Sequence, residues 1–259
     1  VPSHGFRAVV REAGPHIAPD ARVISLSKGV EQGTLRRMTE VVAEELAGHD
    51  ASRIGVLTGP NLAKEVAAGQ PTASVVATPD TAVAEELQRL FLGPTFRVYT
   101  NPDVVGCEIA GTLKNVLAIG AGIADGLGYG DNTKAALITR GLAELARLGA
   151  ALGGEPLTFA GLAGMGDLIA TCSSPQSRNR HVGVELGKGR ALDDIVAEMN
   201  MVAEGVKSTA AVIELARRND VDMPLASFVG RVLYEGARPA DLVPELMLRK
   251  AKPELHGMR

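Results

Sequence analysis

The chain has 259 residues, 46% of them hydrophobic and 22% charged, with a formal net charge of -3. That apolar fraction excludes a disordered chain, and the slightly acidic balance gives no general electrostatic pull toward nucleic acid. The length suits one large domain or, as we expect here, two with separate cores.

The chain opens on VPSHGFRAVV, which reads as a strand-end-to-helix junction with no strand before it, as if the sequence began in mid-fold. Pro2 and Ser3 are helix-start residues, and Phe6, Val9 and Val10 make a short apolar stripe. ARVISLSKG predicts a strand over 22–26, broken by Gly29 and followed by a helix from 34 to 46. RIGVLTGPN repeats the pattern: a strand over 54–57, a turn at Gly59 and Pro60, and a helix over 62–68. A strand over 74–77, a helix in DTAVAEELQRLF and a last short strand in FRVYTN complete the series. Strands alternating with helices predict a parallel or mostly parallel sheet covered on both faces, an α/β layer over residues 1–106.

From Cys107 onward the strand signals vanish and helical periodicity takes over, in KAALITRGLAELARLGAALGG, TAAVIELARRN and the segment around VGRVLYEG. An all-helical domain over 107–259 is the simplest account. Cys107 and Cys172 lie far apart without a CxxC or histidine pattern, so neither a metal site nor a disulfide is expected, and both read as core thiols of a reducing cytoplasm. No run of about 18 uninterrupted apolar residues occurs and no basic segment with a short apolar stretch opens the chain, so neither a membrane span nor a signal peptide is expected.

One residue breaks the pattern of the helical half. In IAGTLKNVLAIGAG, Lys114 shares a helical face with Ala110, Gly111, Leu117, Ala118 and Ala121, none of them charged. A buried ammonium needs a carboxylate, a polar ligand or a water-filled cleft, and a lysine so placed can act as general acid or base. Asp167, after two glycines in GMGD, is the candidate partner; a structural salt bridge at a domain junction is the competing reading. Asp167 could equally be an N-cap for the apolar run LIATC.

Other loops carry weaker signals. SLSKG brings Lys28 to a strand end and LTGPN offers backbone N–H groups from a glycine turn, both suited to an anion, though each also reads as ordinary surface or turn. Ser177, Arg178, Asn179 and Arg180 read as an oxyanion pocket, because arginine presents a planar fork of donors, or as a solvated helix start. The glycines of GAGIADGLGYGD follow a helix rather than a strand and do not make a dinucleotide fingerprint.

Taken in order, VPSH, SKG, TGPNLAKE, GTLKNVLAIGAGIADGLGYGDNTKAALITRG, GLAGMGDLIATC, QSRNR and VAEGVKST resemble the NAD(P)-dependent glycerol-3-phosphate dehydrogenases of bacteria, through essentially the whole chain. The resemblance implies a partial Rossmann domain followed by a helical substrate domain, and NAD(P)H-dependent interconversion of dihydroxyacetone phosphate and sn-glycerol 3-phosphate for phospholipid synthesis. It further implies Lys114 as the general acid/base with Asp167 beside it. Lys28, Gly59, Asn115, Thr171, Ser177, Arg178 and Asn179 would contact substrate, and Lys28, Ala63, Arg178, Val202 and Glu204 would contact NAD or NADP. Small neighbours of Lys114 are expected to make room for the three-carbon phosphate.

Family members carry a strand, a GxGxxG turn and further elements before VPSH, roughly 70 to 80 residues by two βαβ steps. Without them the chain is expected to bind cofactor poorly and to expose a sheet edge. A redox-inactive phosphate-binding or assembly module, and a related β-hydroxyacid dehydrogenase, are the alternative readings. The expected partners are a small phosphorylated substrate and, as for many soluble enzymes, a second copy of the chain in a homodimer.

Overall fold

The computed structural model describes residues 1–199 and 203–254. A 3-10 turn, Ser3–Gly5, leads into α1 (Phe6–Ala13). Phe6 and Val10, one turn apart, are buried, but Val9 is 44% exposed, so the expected stripe narrows to the i, i+4 pair. β1 (Val23–Ser25) follows, and then α2 (Met38–Glu45). α2 starts later than the periodicity predicts because Leu35 adopts φ 62, a left-handed conformation that no helix continues through. Arg37 is its N-cap, with its backbone N–H donating to Glu40 at 2.8 Å.

β2 (Ile54–Thr58), α3 (Ala63–Ala67), β3 (Thr72–Ala77), α4 (Thr81–Phe91) and β4 (Phe96–Asn101) complete the α/β layer. The sheet order is β1-β2-β3-β4. β1 pairs parallel with β2 and β3 parallel with β4, but β2 and β3 are antiparallel, with Thr58 opposite Val75. The sheet is therefore mixed, with two of its pairings of the expected sense. The physical reason is the length of α3. Its five residues span about 7.5 Å, whereas β2 is about 16 Å long, so the connection does not carry the chain back along the sheet and β3 returns from the same edge.

Beyond Asn101 the described residues contain no strand. α5 (Val104–Gly126), α6 (Asp131–Ala151), α7 (Pro156–Ala160), α8 (Asp167–Ser173), α9 (Arg178–Gly187), α10 (Leu192–Glu198), α11 (Glu204–Arg218), α12 (Pro224–Tyr234) and α13 (Pro239–Met247) follow one another. α5 is their axis: every residue from Gly106 to Ala124 is buried. It is long and apolar enough to cross a membrane by length and composition, yet 89% of its most apolar window lies inside the protein, which makes it a core helix. The residue 106/107 boundary falls within its first turn, so α5 belongs to the packing of both halves.

α5 and α9 meet backbone to backbone. A Cβ added to Gly122 would stand 2.1 Å from the Arg180 carbonyl oxygen, and one added to Gly183 would stand 2.1 Å from that of Ile119. Gly126 and Gly187 repeat the contact one turn on. Only hydrogen at these positions lets two helices approach this closely.

Candidate active site

The strand ends, α5 and α8 bring three charged and polar groups onto one carboxylate. β1 ends at Ser25 and delivers Lys28 to the sheet edge where β2 also ends. α5 runs from the opposite edge, near the end of β4, and lifts Lys114 to the same place. Asp167, first residue of α8, receives both: Lys28 Nζ lies 2.7 Å from Oδ2 and Lys114 Nζ 2.7 Å from Oδ1. Thr171, one turn along α8, accepts from Lys114 Nζ at 2.7 Å and donates back to Asp167 Oδ1 at 3.2 Å. The aspartate is therefore not an N-cap, which is Gly166; its side chain serves the lysines.

An ammonium has three donors. Lys28 spends all three, on Asp167, on the Gly59 carbonyl at 2.9 Å and on Asn61 Oδ1 at 3.0 Å. Lys114 spends two among the described residues, on Asp167 and Thr171, and keeps one. Both side chains are largely withdrawn from solvent, Lys114 more so. Burial and the neighbouring Lys114 charge lower the Lys28 ammonium to about 8, despite the pull of Asp167 in the other direction. Burial pushes the Asp167 carboxyl up, but the attraction of Lys114 and Lys28 outweighs it and holds the group below its ordinary value.

Gly59 meets the site through its carbonyl, as an acceptor for an ammonium, and not through the N–H groups expected for an anion. Its φ of 124 suits glycine alone, and an added Cβ would stand 3.2 Å from the Ser74 Cα. Asn61 was not among the sequence candidates. It positions Lys28 through Oδ1 and is itself held by donating to Ser74 Oγ at 3.2 Å. The signal that could have found it is an asparagine directly after a Gly-Pro turn at a strand end.

A second chain of hydrogen bonds runs beside the first. Asn115 Nδ2 donates to the Lys28 carbonyl at 2.9 Å, Asn179 Nδ2 donates to Asn115 Oδ1 at 2.9 Å, and Asn179 Oδ1 accepts from the Gly205 N–H at 2.9 Å. Asn179 sits in the first turn of α9, whose N-cap is Ser177, with Oγ accepting from the Arg180 N–H at 3.2 Å. Arg178, directly before Asn179, is exposed at the same helix start. Ser177, Arg178 and Asn179 stand together at the start of α9, with Asn179 bonded to Asn115, the neighbour of Lys114, whereas Arg180 pairs with Asp125 at 2.6 Å.

Among the described residues the small neighbours of Lys114, Ala110, Gly111, Ala118 and Ala121, line no cavity, whereas Leu117 lines one that α5 shares with α6 and α12. Ala110, Ala118 and Ala121 are fully buried, Leu117 packs on Gly141 of α6, and Gly111 lies against Lys28 and Thr58. The expectation that they make room for substrate is corrected: they admit neighbouring elements closely enough for the lysines to meet.

Among the residues expected to touch cofactor, Lys28 is in the cluster and Glu204 is next to it, accepting from the Ser3 N–H at 3.2 Å and the Ser3 hydroxyl at 2.7 Å. Ala63 stands apart, exposed at the start of α3, whose Glu65 accepts from Gln176 at 2.9 Å. Val202 lies outside the described residues. The buried Thr58 hydroxyl, at the end of β2 and 3.3 Å from where a Gly111 Cβ would stand, has no partner among the described residues. Lys28 at the ends of β1 and β2 and the exposed Arg178 supply the positive charge that a phosphate-bearing dinucleotide at a sheet edge requires.

Two family models match the chain: NAD-dependent glycerol-3-phosphate dehydrogenase N-terminus over residues 1–84 and the corresponding C-terminus over 103–244. The chain is 57% identical over 256 residues to glycerol-3-phosphate dehydrogenase (NAD(P)+) 2 of Sphingopyxis alaskensis, covering 99% of this chain and 76% of that one. It is 55% identical over 254 residues to the protein of the same name from Salinibacter ruber, covering 98% and 74%. Its structure is similar to the crystal structure of glycerol-3-phosphate dehydrogenase from Coxiella burnetii, with a TM-score of 0.91 and 42% identity over 96% of this chain and 75% of that one.

Proposed function

Because the chain belongs to the NAD-dependent glycerol-3-phosphate dehydrogenase family, we propose that Lys114 is the general acid/base of its reaction, with Asp167 and Thr171 orienting its ammonium. The reaction is the interconversion of dihydroxyacetone phosphate and sn-glycerol 3-phosphate with NAD or NADP. When bound, the nicotinamide supplies or accepts the hydride at the carbon bearing the reacting oxygen.

The observation that carries the role of Lys114 is its donor count. Lys28 has no N–H left, whereas Lys114 keeps one for a substrate oxygen. As the carbonyl is reduced, negative charge grows on that oxygen, and the ammonium stabilises it and transfers a proton, leaving a hydroxyl. In the reverse direction neutral Lys114 takes the hydroxyl proton. Lys28 adds a fixed positive charge while it stays protonated, and Asp167 keeps both cations in place without taking a proton, its carboxyl being held low. Ser177, Arg178 and Asn179 hold the phosphate, Arg178 as the charged fork and the other two as neutral donors. Lys28, Arg178 and Glu204 are the residues that would hold the cofactor.

The same reading makes the product a glycerophospholipid precursor and the working form a cytoplasmic homodimer. It is tested by following NADH consumption with dihydroxyacetone phosphate as acceptor. Turnover that disappears in Lys114→Met, with the circular-dichroism spectrum unchanged, is the expected result; near-normal turnover removes Lys114 from the mechanism.

A further inference from the structure

Six residues before Lys114, α5 carries a second buried charge that the reaction does not use. Glu108 is only 4% exposed. Its Oε1 accepts from the Thr39 N–H at 2.9 Å, and its Oε2 accepts from Arg37 Nη1 at 2.8 Å and from the Thr39 hydroxyl. Thr39 lies in the first turn of α2 and Arg37 is the N-cap of that helix, so Glu108 fastens the axis of the helical half to a helix start in the α/β layer.

Glu108, Gly111 and Asn115 are spaced i, i+3, i+7 and share one face of α5. Each meets the α/β layer. Glu108 holds α2, Gly111 would bring a Cβ within 3.3 Å of Thr58 Oγ1 and 3.5 Å of Lys28 Cγ, and Asn115 donates to the Lys28 carbonyl. Gly111 lets α5 slide close, and the two polar contacts fix where along its length, and at what rotation, it stops. An apolar residue at 108 would fill the space without desolvating a charge, so stability alone does not account for a carboxylate there. A directional, two-oxygen contact sets register, which an apolar contact does not.

We propose that Glu108 is a positioning residue: by locking α5 to the start of α2, it sets the height and rotation of Lys114 against Lys28, so that both ammoniums reach Asp167. The lever is short, since six residues of helix separate Glu108 from Lys114 by about 9 Å. The phosphate cradle moves with α5, because α9 is packed on it through the paired glycines. A shift of α5 therefore displaces Lys114 and bound phosphate together against Lys28 and the strand ends.

This inference rests on the Lys28, Asp167 and Lys114 cluster being the reacting site, and its test is chosen to separate the two. Glu108→Leu, Glu108→Gln and Glu108→Asp are compared by steady-state kinetics with dihydroxyacetone phosphate and NADH. Titration of Lys28 is followed by NMR of its labelled Cε. In Leu and Gln variants we expect kcat to fall about ten-fold or more while the KM for dihydroxyacetone phosphate changes less than about two-fold, the signature of misalignment rather than lost binding. The Lys28 midpoint moves upward from about 8, as Lys114 no longer crowds it. Asp, which keeps the charge, recovers part of the lost kcat. Parental kcat and an unmoved Lys28 midpoint in folded Leu and Gln variants overturn the proposal and leave Glu108 as a cap for α2. Should Leu not fold, Gln carries the same readouts. If Lys114→Met retains turnover in the same assay, the reading of the site fails, while the Lys28 titration still decides whether Glu108 holds the register.

Discussion

At residue 114 a lysine projects from a helix that is otherwise apolar, and the physics of a buried ammonium requires a partner. That requirement is local and legible in sequence, and Asp167 was its foreseeable answer. What could not be foreseen is that Asp167 is shared. Lys28, 139 positions away in sequence, takes the second oxygen. Replacing Lys114 by methionine should lower kcat by about 10²–10⁴-fold, the usual worth of a positioned acid or base. The titration of Lys28 gives a pH dependence of definite sign. Its folded value of about 8 lies below the ordinary 10.5, so between these values the unfolded chain binds more protons and stability rises with pH. The cost of burying a charged Lys28 is present below pH 8 and is relieved above it. The melting temperature of the parent relative to Lys28→Met should therefore increase from pH 7.5 to 10, and a flat difference would show that Lys28 keeps its ordinary value. Reduction of the ketone should slow over the same range if the charge of Lys28 assists it.

Among the elements, α5 shows how one helix serves several neighbours. Its periodicity named the helix and its buried character, but small residues along a helix have two uses, lining a cavity or admitting another backbone, and sequence spacing does not distinguish them. Here Gly122 and Gly126 face Gly183 and Gly187. Alanine at position 183 would force the two helices apart at a carbonyl contact of 2.1 Å, so Gly183→Ala should destabilise by about 1–3 kcal/mol. Because α9 starts at Arg178, the same change should raise the KM for dihydroxyacetone phosphate, measurable in the assay above. A variant with parental stability and KM would mean that the helices part freely. The free thiols of α5 and α8 are buried, Cys172 being pushed up to about 12 by desolvation and Cys107 higher still, so neither supplies a thiolate.

Over the whole molecule, the α/β layer and the helical half are joined by directional contacts at several points. Glu204 holds Ser3, Asn115 holds Lys28, Glu108 holds Thr39, and Gln176 holds Glu65. With α5 packed against both halves, they should unfold together. Thermal denaturation followed by far-ultraviolet circular dichroism and by NMR signals from each half should give coincident midpoints; separate transitions would show the halves to be independent. If glycerol 3-phosphate binds across this junction as proposed, it should raise the common midpoint with the logarithm of its concentration above Kd.

Sequence by itself determined the alternating layer, the switch from strands to helices, and the family, because propensity, periodicity and motif order are properties of neighbouring residues. It also determined that Lys114 must have a partner. Tertiary structure decided the antiparallel return of β3, the late start of α2, the acceptor role of the Gly59 carbonyl, and the arrival of Lys28 at Asp167, of Asn61 at Lys28 and of Arg37 at Glu108. Each of these depends on which elements come to lie side by side and at what register. That is settled by packing between residues far apart in the chain, where a shift of a few ångströms exchanges one hydrogen-bond partner for another.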